Sequence, residues 1–163
     1  MAFDLHAVRA EFPILAREVH GKPLVYLDSG ASAQKPRAVI DAMVRAMEHS
    51  YANVHRGLHT LANETTEAYE AARAKVAAFI GADPSEIVWT KGGTEAINLV
   101  ASGLGADLKA GDEILVTEME HHANIVPWHF LRERKGVVLR WVRVTDDGVL
   151  DLEDFQQALG PKT

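Results

Sequence analysis

Apolar and polar positions along the second half of the chain predict strands and helices in alternation. Short apolar runs rich in β-branched residues have the length of buried strands, and between them the apolar positions recur every three to four residues, as in helices. The predicted strands are residues 86–90, 113–117 and 137–144, and the predicted helices are residues 94–104, 125–135 and 152–159. Strands that alternate with helices predict an α/β fold with a mostly parallel sheet and helices on both faces.

The first half of the chain carries a mainly helical pattern. Residues 4–12 predict a short helix with Asp4 as its N-cap, and residues 24–27 predict a short strand. Two longer helices are expected from about Pro36 to Ser50 and from about residue 61 to residue 80, with Gly81 as the terminator of the second. The apolar face of this second helix is predicted to contain Leu61, Thr65, Ala68, Ala72, Val76 and Phe79.

Composition narrows the possible functions. The chain has 163 residues, a formal net charge of −6 and no cysteine. This size allows one domain with a core, and the charge, with no cluster of Lys or Arg, disfavours nucleic acids and anionic membranes as partners. Without cysteine, disulfides and thiolate metal sites are excluded. No signal peptide or membrane-length apolar run is evident, and a cytoplasmic location is expected.

A glycine-rich turn, Lys91-Gly92-Gly93-Thr94-Glu95, lies between a predicted strand and a predicted helix. Two glycines allow an anion to approach the backbone N–H groups, the Thr94 hydroxyl adds a donor, and the positive end of the helix dipole favours negative charge. The turn is therefore a candidate phosphate site. A simpler interpretation remains open, in which the glycines form a tight turn and Thr94 caps the helix. A nucleotide-binding domain would fit the fold, but the phosphate-loop pattern is missing.

His121 follows the predicted strand at residues 113–117 and so lies at a carboxyl end of the sheet, where open α/β sheets bind ligands. It is either a structural residue or a flat, titratable ring that can stack on an aromatic cofactor. A metal site is disfavoured because no His-Glu-x-x-His string occurs. Since the glycine turn should open onto the same crevice, a planar, phosphorylated ligand such as pyridoxal 5'-phosphate (PLP) is plausible.

Four segments, in order, resemble the signatures of SUF-type cysteine desulfurases, which are PLP enzymes of the class-V aminotransferase family. The segments are LDSGASAQKP at 27–36, NVHRGLHTL at 53–61, GGTEAIN at 92–98 and MEHHANIVPW at 119–128. The resemblance implies the large domain of the aspartate-aminotransferase type. Residues 1–20 would form an N-terminal arm with a short helix. Residues 21–163 would form the N-terminal part of the large domain, ending before the cofactor-binding lysine and the small domain.

The resemblance also implies roles for individual residues. Gly93 and Thr94 would hold the cofactor phosphate, and the catalytic residue His121 would stack on the pyridine ring and assist proton transfer. Ser29, Gly30, His55 and Arg56 would lie near the substrate or at the dimer-facing rim, with a structural ion pair as an equal alternative for Arg56. No resident metal is expected. One departure is Gly93, where the family commonly has threonine.

The function implied for the full-length protein is removal of sulfur from L-cysteine, which gives L-alanine and an enzyme persulfide for iron–sulfur cluster assembly. A homodimer and a sulfur-acceptor protein are the implied partners. The chain by itself is expected to be inactive, because the family's lysine and cysteine segments lie beyond Thr163. A selenocysteine lyase, another class-V PLP enzyme such as a kynureninase-like protein, and a non-catalytic half-domain that serves as a binding module remain open.

Overall fold

The computed structural model describes residues 3–163, which form two compact units. The first unit extends to Ile87 and the second covers Val88–Thr163. The first two positions of the predicted arm at residues 1–20 lie outside the described range.

The first unit is mainly helical. Its elements are α1 (Leu5–Ala10), a 3-10 turn at Pro13–Ala16, a hairpin of β1 (Glu18–Val19) and β2 (Lys22–Pro23), α2 (Arg37–His49), α3 (Thr60–Ile80) and a 3-10 turn at Pro84–Glu86. Asp4 caps α1 as predicted, because its carboxylate accepts the N–H groups of His6 and Ala7. Gly81 ends α3 in the left-handed conformation at φ 74°, which confirms its prediction as the terminator.

The second unit contains the parallel sheet. Its elements are α4 (Gly93–Gly105), β3 (Glu113–Thr117), a 3-10 turn at His122–Asn124, α5 (Val126–Lys135), β4 (Val138–Val142) and α6 (Leu152–Ala158). β3 and β4 are parallel, and their register runs from Glu113 opposite Val138 to Thr117 opposite Val142. The Glu113 N–H donates to the Lys162 carbonyl at 2.8 Å. The predicted α/β class with a parallel sheet and helices is confirmed for this part of the fold.

Close packing of α4 on α5 forms one side of the second unit. At Gly105 an added Cβ would lie 2.8 Å from both methyl groups of Leu131, so only glycine fits there without a shift. Lys135 of α5 donates to the carbonyl of Gly105 at 2.6 Å and also to that of Ala106, which satisfies carbonyls that the end of α4 leaves free. These contacts fix the two helices that flank β3 in sequence.

Two predicted strands are wrong. Residues 24–27 and 87–90 have extended or irregular backbone but no partner strand among the described residues, and residues 84–86 form a 3-10 turn. Val25 and Leu27 are 75% and 93% exposed, so their apolar side chains do not enter a core within the described chain. A β-strand needs a neighbouring strand with which to form hydrogen bonds, and an apolar run without one forms no hydrogen-bonded ladder.

The predicted buried face of α3 is also wrong. The buried residues of this helix are Ala62 and Ala77, each 1% exposed, whereas Phe79 on the predicted face is 90% exposed. Thr66, Glu70 and Arg73 lie between them on the partly buried side. Small and polar side chains thus occupy the inner face because the helix packs close to the turns at residues 53–59 and 84–86.

Among residues 3–163, every helix is too short or too polar to cross a lipid bilayer.

Candidate functional site

The glycine turn (residues 91–95) begins α4. Gly92 is its N-cap residue with nearly fully extended backbone, and Gly93, Thr94 and Glu95 form the first helical positions. Glu95 folds back so that its carboxylate accepts the Lys91 N–H at 2.6 Å. The Ala96 N–H already donates to the Gly92 carbonyl at 3.1 Å, whereas the three N–H groups before it have no acceptor within the helix. The turn therefore presents a set of backbone donors at the positive end of a 13-residue helix.

These donors face an open concavity of about 460 Å³ that the turn and Asn98 line. A Cβ built on Gly92 or Gly93 meets no atom within 4 Å, so the glycines keep the backbone uncovered rather than packed. Among the described residues, the Thr94 hydroxyl has no hydrogen-bonding partner. Free N–H groups, a free hydroxyl and a helix N-terminus match the acceptor oxygens and charge of a phosphate, and the residues present therefore fit the phosphate group of PLP.

The histidine turn (residues 120–125) connects β3 to α5, and within it His121 is exposed. The Nδ1 atom of its ring accepts the Ala123 N–H at 3.1 Å, and its carbonyl accepts the Asn124 N–H at 2.8 Å. Because Nδ1 acts as an acceptor, the neutral ring carries its proton on Nε2. The turn thus presents a ring whose Nε2–H is the group available to a ligand.

Polar side chains on both sides of His121 are bonded to one another. Glu120 accepts the Thr117 hydroxyl at 3.0 Å and the Asn124 amide at 2.9 Å, and the Asn124 carbonyl oxygen accepts the Trp128 indole N–H at 3.0 Å. Sequence reasoning singled out this segment but gave a role to His121 alone. The signal was the interval of four residues from Glu120 to Asn124 and from Asn124 to Trp128, although only Trp128 lies in α5.

The glycine turn and the histidine turn both belong to the second unit. α4, which begins at the glycine turn, packs against the 3-10 turn at His122–Asn124. His121 does not itself line the concavity at residues 91–95. The structure therefore places the two predicted cofactor-binding segments in one unit, with the N–H groups of the glycine turn and the imidazole of His121 as separate parts of it.

Ser29 and Gly30 lie in an exposed loop of the first unit. The Tyr26 hydroxyl is 2.6 Å from the Ser32 carbonyl and 3.1 Å from the Asp28 carbonyl, and these contacts hold the loop closed. Ser29 also lines an open cavity of about 390 Å³ with Phe12, Leu15 and Tyr26. The predicted rim position of Ser29 and Gly30 remains a prediction.

His55 and Arg56 lie in the first unit, in the turn that precedes α3. His55 has a left-handed backbone at φ 65°, its N–H donates to the Thr66 hydroxyl at 2.9 Å, and its ring is 3.0 Å from the Glu70 carboxylate. Glu70 also binds Arg73 at 3.1 Å. Arg56 is exposed and makes no ion pair within residues 3–163. The sequence gave no indication that Glu70 would hold His55.

Known proteins of one family are similar to this chain in sequence. The family model described as aminotransferase class-V matches residues 25–163. A cysteine desulfurase of Serratia proteamaculans is 57% identical over 154 residues, which are 93% of this chain and 38% of that protein. A cysteine desulfurase of an Enterobacter species is 53% identical over the whole chain and 41% of its own length. The chain therefore spans about two fifths of the length of the curated relatives it matches.

Solved structures give the same result. The apo structure of a cysteine desulfurase from Thermococcus onnurineus superimposes with a TM-score of 0.86 at 38% identity, over 96% of this chain and 38% of that chain. A cysteine desulfurase from Escherichia coli superimposes with a TM-score of 0.78 at 38% identity, over 99% of this chain and 40% of that chain.

Proposed function

The chain belongs to the class-V aminotransferase family, and from this membership we propose that it forms the part of a PLP-dependent cysteine desulfurase that holds the cofactor phosphate and ring. The observation that carries this proposal is the glycine turn at residues 91–95, whose uncovered backbone and free Thr94 hydroxyl suit a phosphate. The high identity to cysteine desulfurases supports L-cysteine as the substrate.

In this proposal the chain's own residues bind and orient the cofactor. The backbone N–H groups at Gly93 and Thr94 and the Thr94 hydroxyl hold the phosphate. His121 lies against the ring and exchanges a proton at Nε2, because its Nδ1 is engaged by Ala123. PLP, when bound, supplies an electron sink for the amino-acid substrate. Ser29, Gly30, His55 and Arg56 belong to the substrate side or the dimer-facing rim.

The complete reaction needs a thiol, and none of the 163 residues is cysteine. A cysteine thiolate outside this chain would attack the substrate sulfur. The carbon–sulfur bond breaks, a sulfur–sulfur bond forms, and protonation of the carbon releases L-alanine. We propose that the part of the relatives that this chain does not span supplies this thiol and the cofactor-binding lysine, so that the chain alone does not turn over cysteine.

The four signature segments support the SUF branch in particular. With that assignment, the persulfide sulfur passes to an acceptor protein for iron–sulfur cluster assembly, and the full-length protein is a cytoplasmic homodimer. The absence of cysteine favours one further candidate for the isolated chain, a non-catalytic binding module.

Alanine release from L-cysteine by the full-length protein with PLP tests the function, with His121→Gln as the diagnostic variant. Loss of a general acid–base group lowers kcat by about 10²-fold or more. His122→Gln is the matched control, because His122 is exposed in the same turn and should leave kcat nearly unchanged. No alanine from the unaltered full-length protein would refute the proposal, and release from selenocysteine alone would replace it with a lyase for that substrate.

The isolated 163-residue chain gives the complementary test. We expect no alanine from it at any PLP concentration. Turnover by the chain alone would contradict the proposal that the thiol and the lysine lie elsewhere.

A further inference from the structure

A line of polar side chains connects the end of β3 to the first turns of α5. It runs from Thr117 through Glu120 and Asn124 to Trp128, with successive distances of 3.0, 2.9 and 3.0 Å. All three bonds are partly buried. Each oxygen of Glu120 accepts one bond, and the Asn124 side chain both donates and accepts. The four side chains, defined here as the polar ladder, therefore bridge the ends of the two elements between which His121 lies.

Asn124 does not act here as an ordinary helix cap. Asparagine is a favoured N-cap residue, but the N-cap position of α5 is Ile125 and no side chain caps that helix. The Asn124 side chain instead joins Glu120 to Trp128, and its backbone N–H donates to the His121 carbonyl at 2.8 Å. Asn124 thus contacts His121 through its backbone and the rest of the polar ladder through its side chain.

The orientation of the His121 ring depends on this turn. The Ala123 N–H donates to Nδ1 because His121 is the extended N-cap residue of the 3-10 turn at His122–Asn124. We infer that Asn124, held by Glu120 and Trp128, is a positioning residue that fixes the direction and the protonated nitrogen of the His121 ring. This inference rests on the proposed function for its effect on turnover, while its structural part does not.

Exchanging donor and acceptor between Glu120 and Asn124 provides a specific test in the full-length protein. Asn124→Asp keeps the size and the acceptor for Trp128, but it loses the donor and places two carboxylates together. Glu120→Gln alone keeps both neighbours, because its amide can turn so that the oxygen accepts from Asn124 and the NH2 group donates to the Thr117 hydroxyl. In the double variant, an amide at position 120 can donate to a carboxylate at position 124, and the ladder is complete again with the bond reversed.

The value of kcat and the rate of backbone amide exchange are expected to change together. Asn124→Asp should lower kcat by roughly tenfold with little change in KM, because a misdirected catalytic group costs rate rather than binding, whereas Glu120→Gln alone should change kcat little. In Asn124→Asp, backbone amide exchange across residues 121–125, followed by mass spectrometry, should accelerate by about fivefold through loss of one hydrogen bond. The double variant should recover both values. Gln156→Glu, an exposed amide-to-carboxylate change on α6, is the matched control and should change neither.

The outcomes separate the inference from the proposed function. Asn124→Asp without faster exchange, or a double variant that recovers neither readout, would overturn the positioning role. If the unaltered protein releases no alanine, the proposed function fails, and the exchange measurements still decide whether the polar ladder fixes the turn. Trp128→Phe, which removes one bond at the far end, should give a smaller acceleration in the same peptide.

Discussion

His55 and His121, the two histidines predicted to belong to the site, are both exposed but are held in opposite ways. In the first unit, the segment at residues 53–59 depends on α3: the backbone of His55 binds Thr66, and its ring binds Glu70 one turn further along that helix. In the second unit, the polar ladder around His121 uses bonds between residues three or four positions apart. One histidine is fixed by another element, the other by its immediate neighbours.

The backbone shows the consequence of this difference. His55 has φ 65°, a left-handed conformation that costs a residue with a Cβ about 1–2 kcal/mol, so its support from α3 has to offset that cost. His121 has φ −72° and ψ 146°, an ordinary extended conformation. A locally bonded turn can keep its ring direction without strain, whereas a strained turn keeps it only while its distant partners stay in place.

The largest expected effect breaks the first segment. Gly57 approaches α3 so closely that a Cβ there would overlap the Cβ of buried Ala62. Gly57→Ala should therefore lower the free energy of unfolding by about 1–3 kcal/mol through overpacking, as measured by urea denaturation. Gly103→Ala in α4 is the control, since nothing lies within 4 Å there, and it should stabilise by about 0.5–1 kcal/mol. Equal effects of the two variants would contradict the close approach.

A smaller effect is expected in the histidine turn. Trp128→Phe removes the indole N–H and leaves the partly buried Asn124 oxygen without its donor. The cost should be about 1 kcal/mol beyond that of Trp141→Phe, which makes the same chemical change on β4. Thermal or urea unfolding of both variants measures this difference. If the two variants are equally stable, the bond between Asn124 and Trp128 contributes nothing to the turn.

The smallest effect concerns the Glu70 carboxylate, which contacts the His55 ring and pairs with Arg73. Glu70 is 43% exposed, and exposed ion pairs contribute about 0.2–1 kcal/mol. Glu70→Gln should destabilise by about this amount at low salt and by less at about 1 M salt, where charges are screened. Glu64→Gln, at an exposed position of the same helix, is the control. A penalty that does not depend on salt would point to hydrogen-bond geometry instead of charge.

The difference between contacts with near neighbours in sequence and contacts with another element also explains what the sequence could predict. β3 was predicted with its observed bounds, and α4, α5 and α6 within about one residue, because their signals are local: an apolar run, a helical period and a capping residue such as Asp151. The strands predicted at 24–27 and 86–90 do not form, because local apolar character does not supply a partner strand. The apolar face predicted for α3 is not its buried face, because tertiary contacts bury Ala62 and Ala77 instead of the larger side chains.

The candidate site follows this pattern as well. Gly93, Thr94 and His121 could be predicted because each follows an apolar run and belongs to a short continuous motif with recognisable chemistry. The contacts among the side chains at positions 120, 124 and 128 could also have been predicted, from their intervals of four residues. Glu70 was not, because no rule of sequence spacing connects it to a histidine in a preceding turn without a helical period.

The histidine turn lies inside the connection that joins two parallel strands, and this has a consequence for the order of folding. A parallel pair cannot close through a short hairpin; β4 reaches β3 only after the intervening chain has made its crossover through α5. Residues 120–125 open that crossover. Their ordering is therefore tied to the slow, non-local step in which the sheet forms, whereas the glycine turn can form with the first turns of α4. The backbone N–H groups of the glycine turn become available early in folding, and the imidazole takes its position when the strands meet.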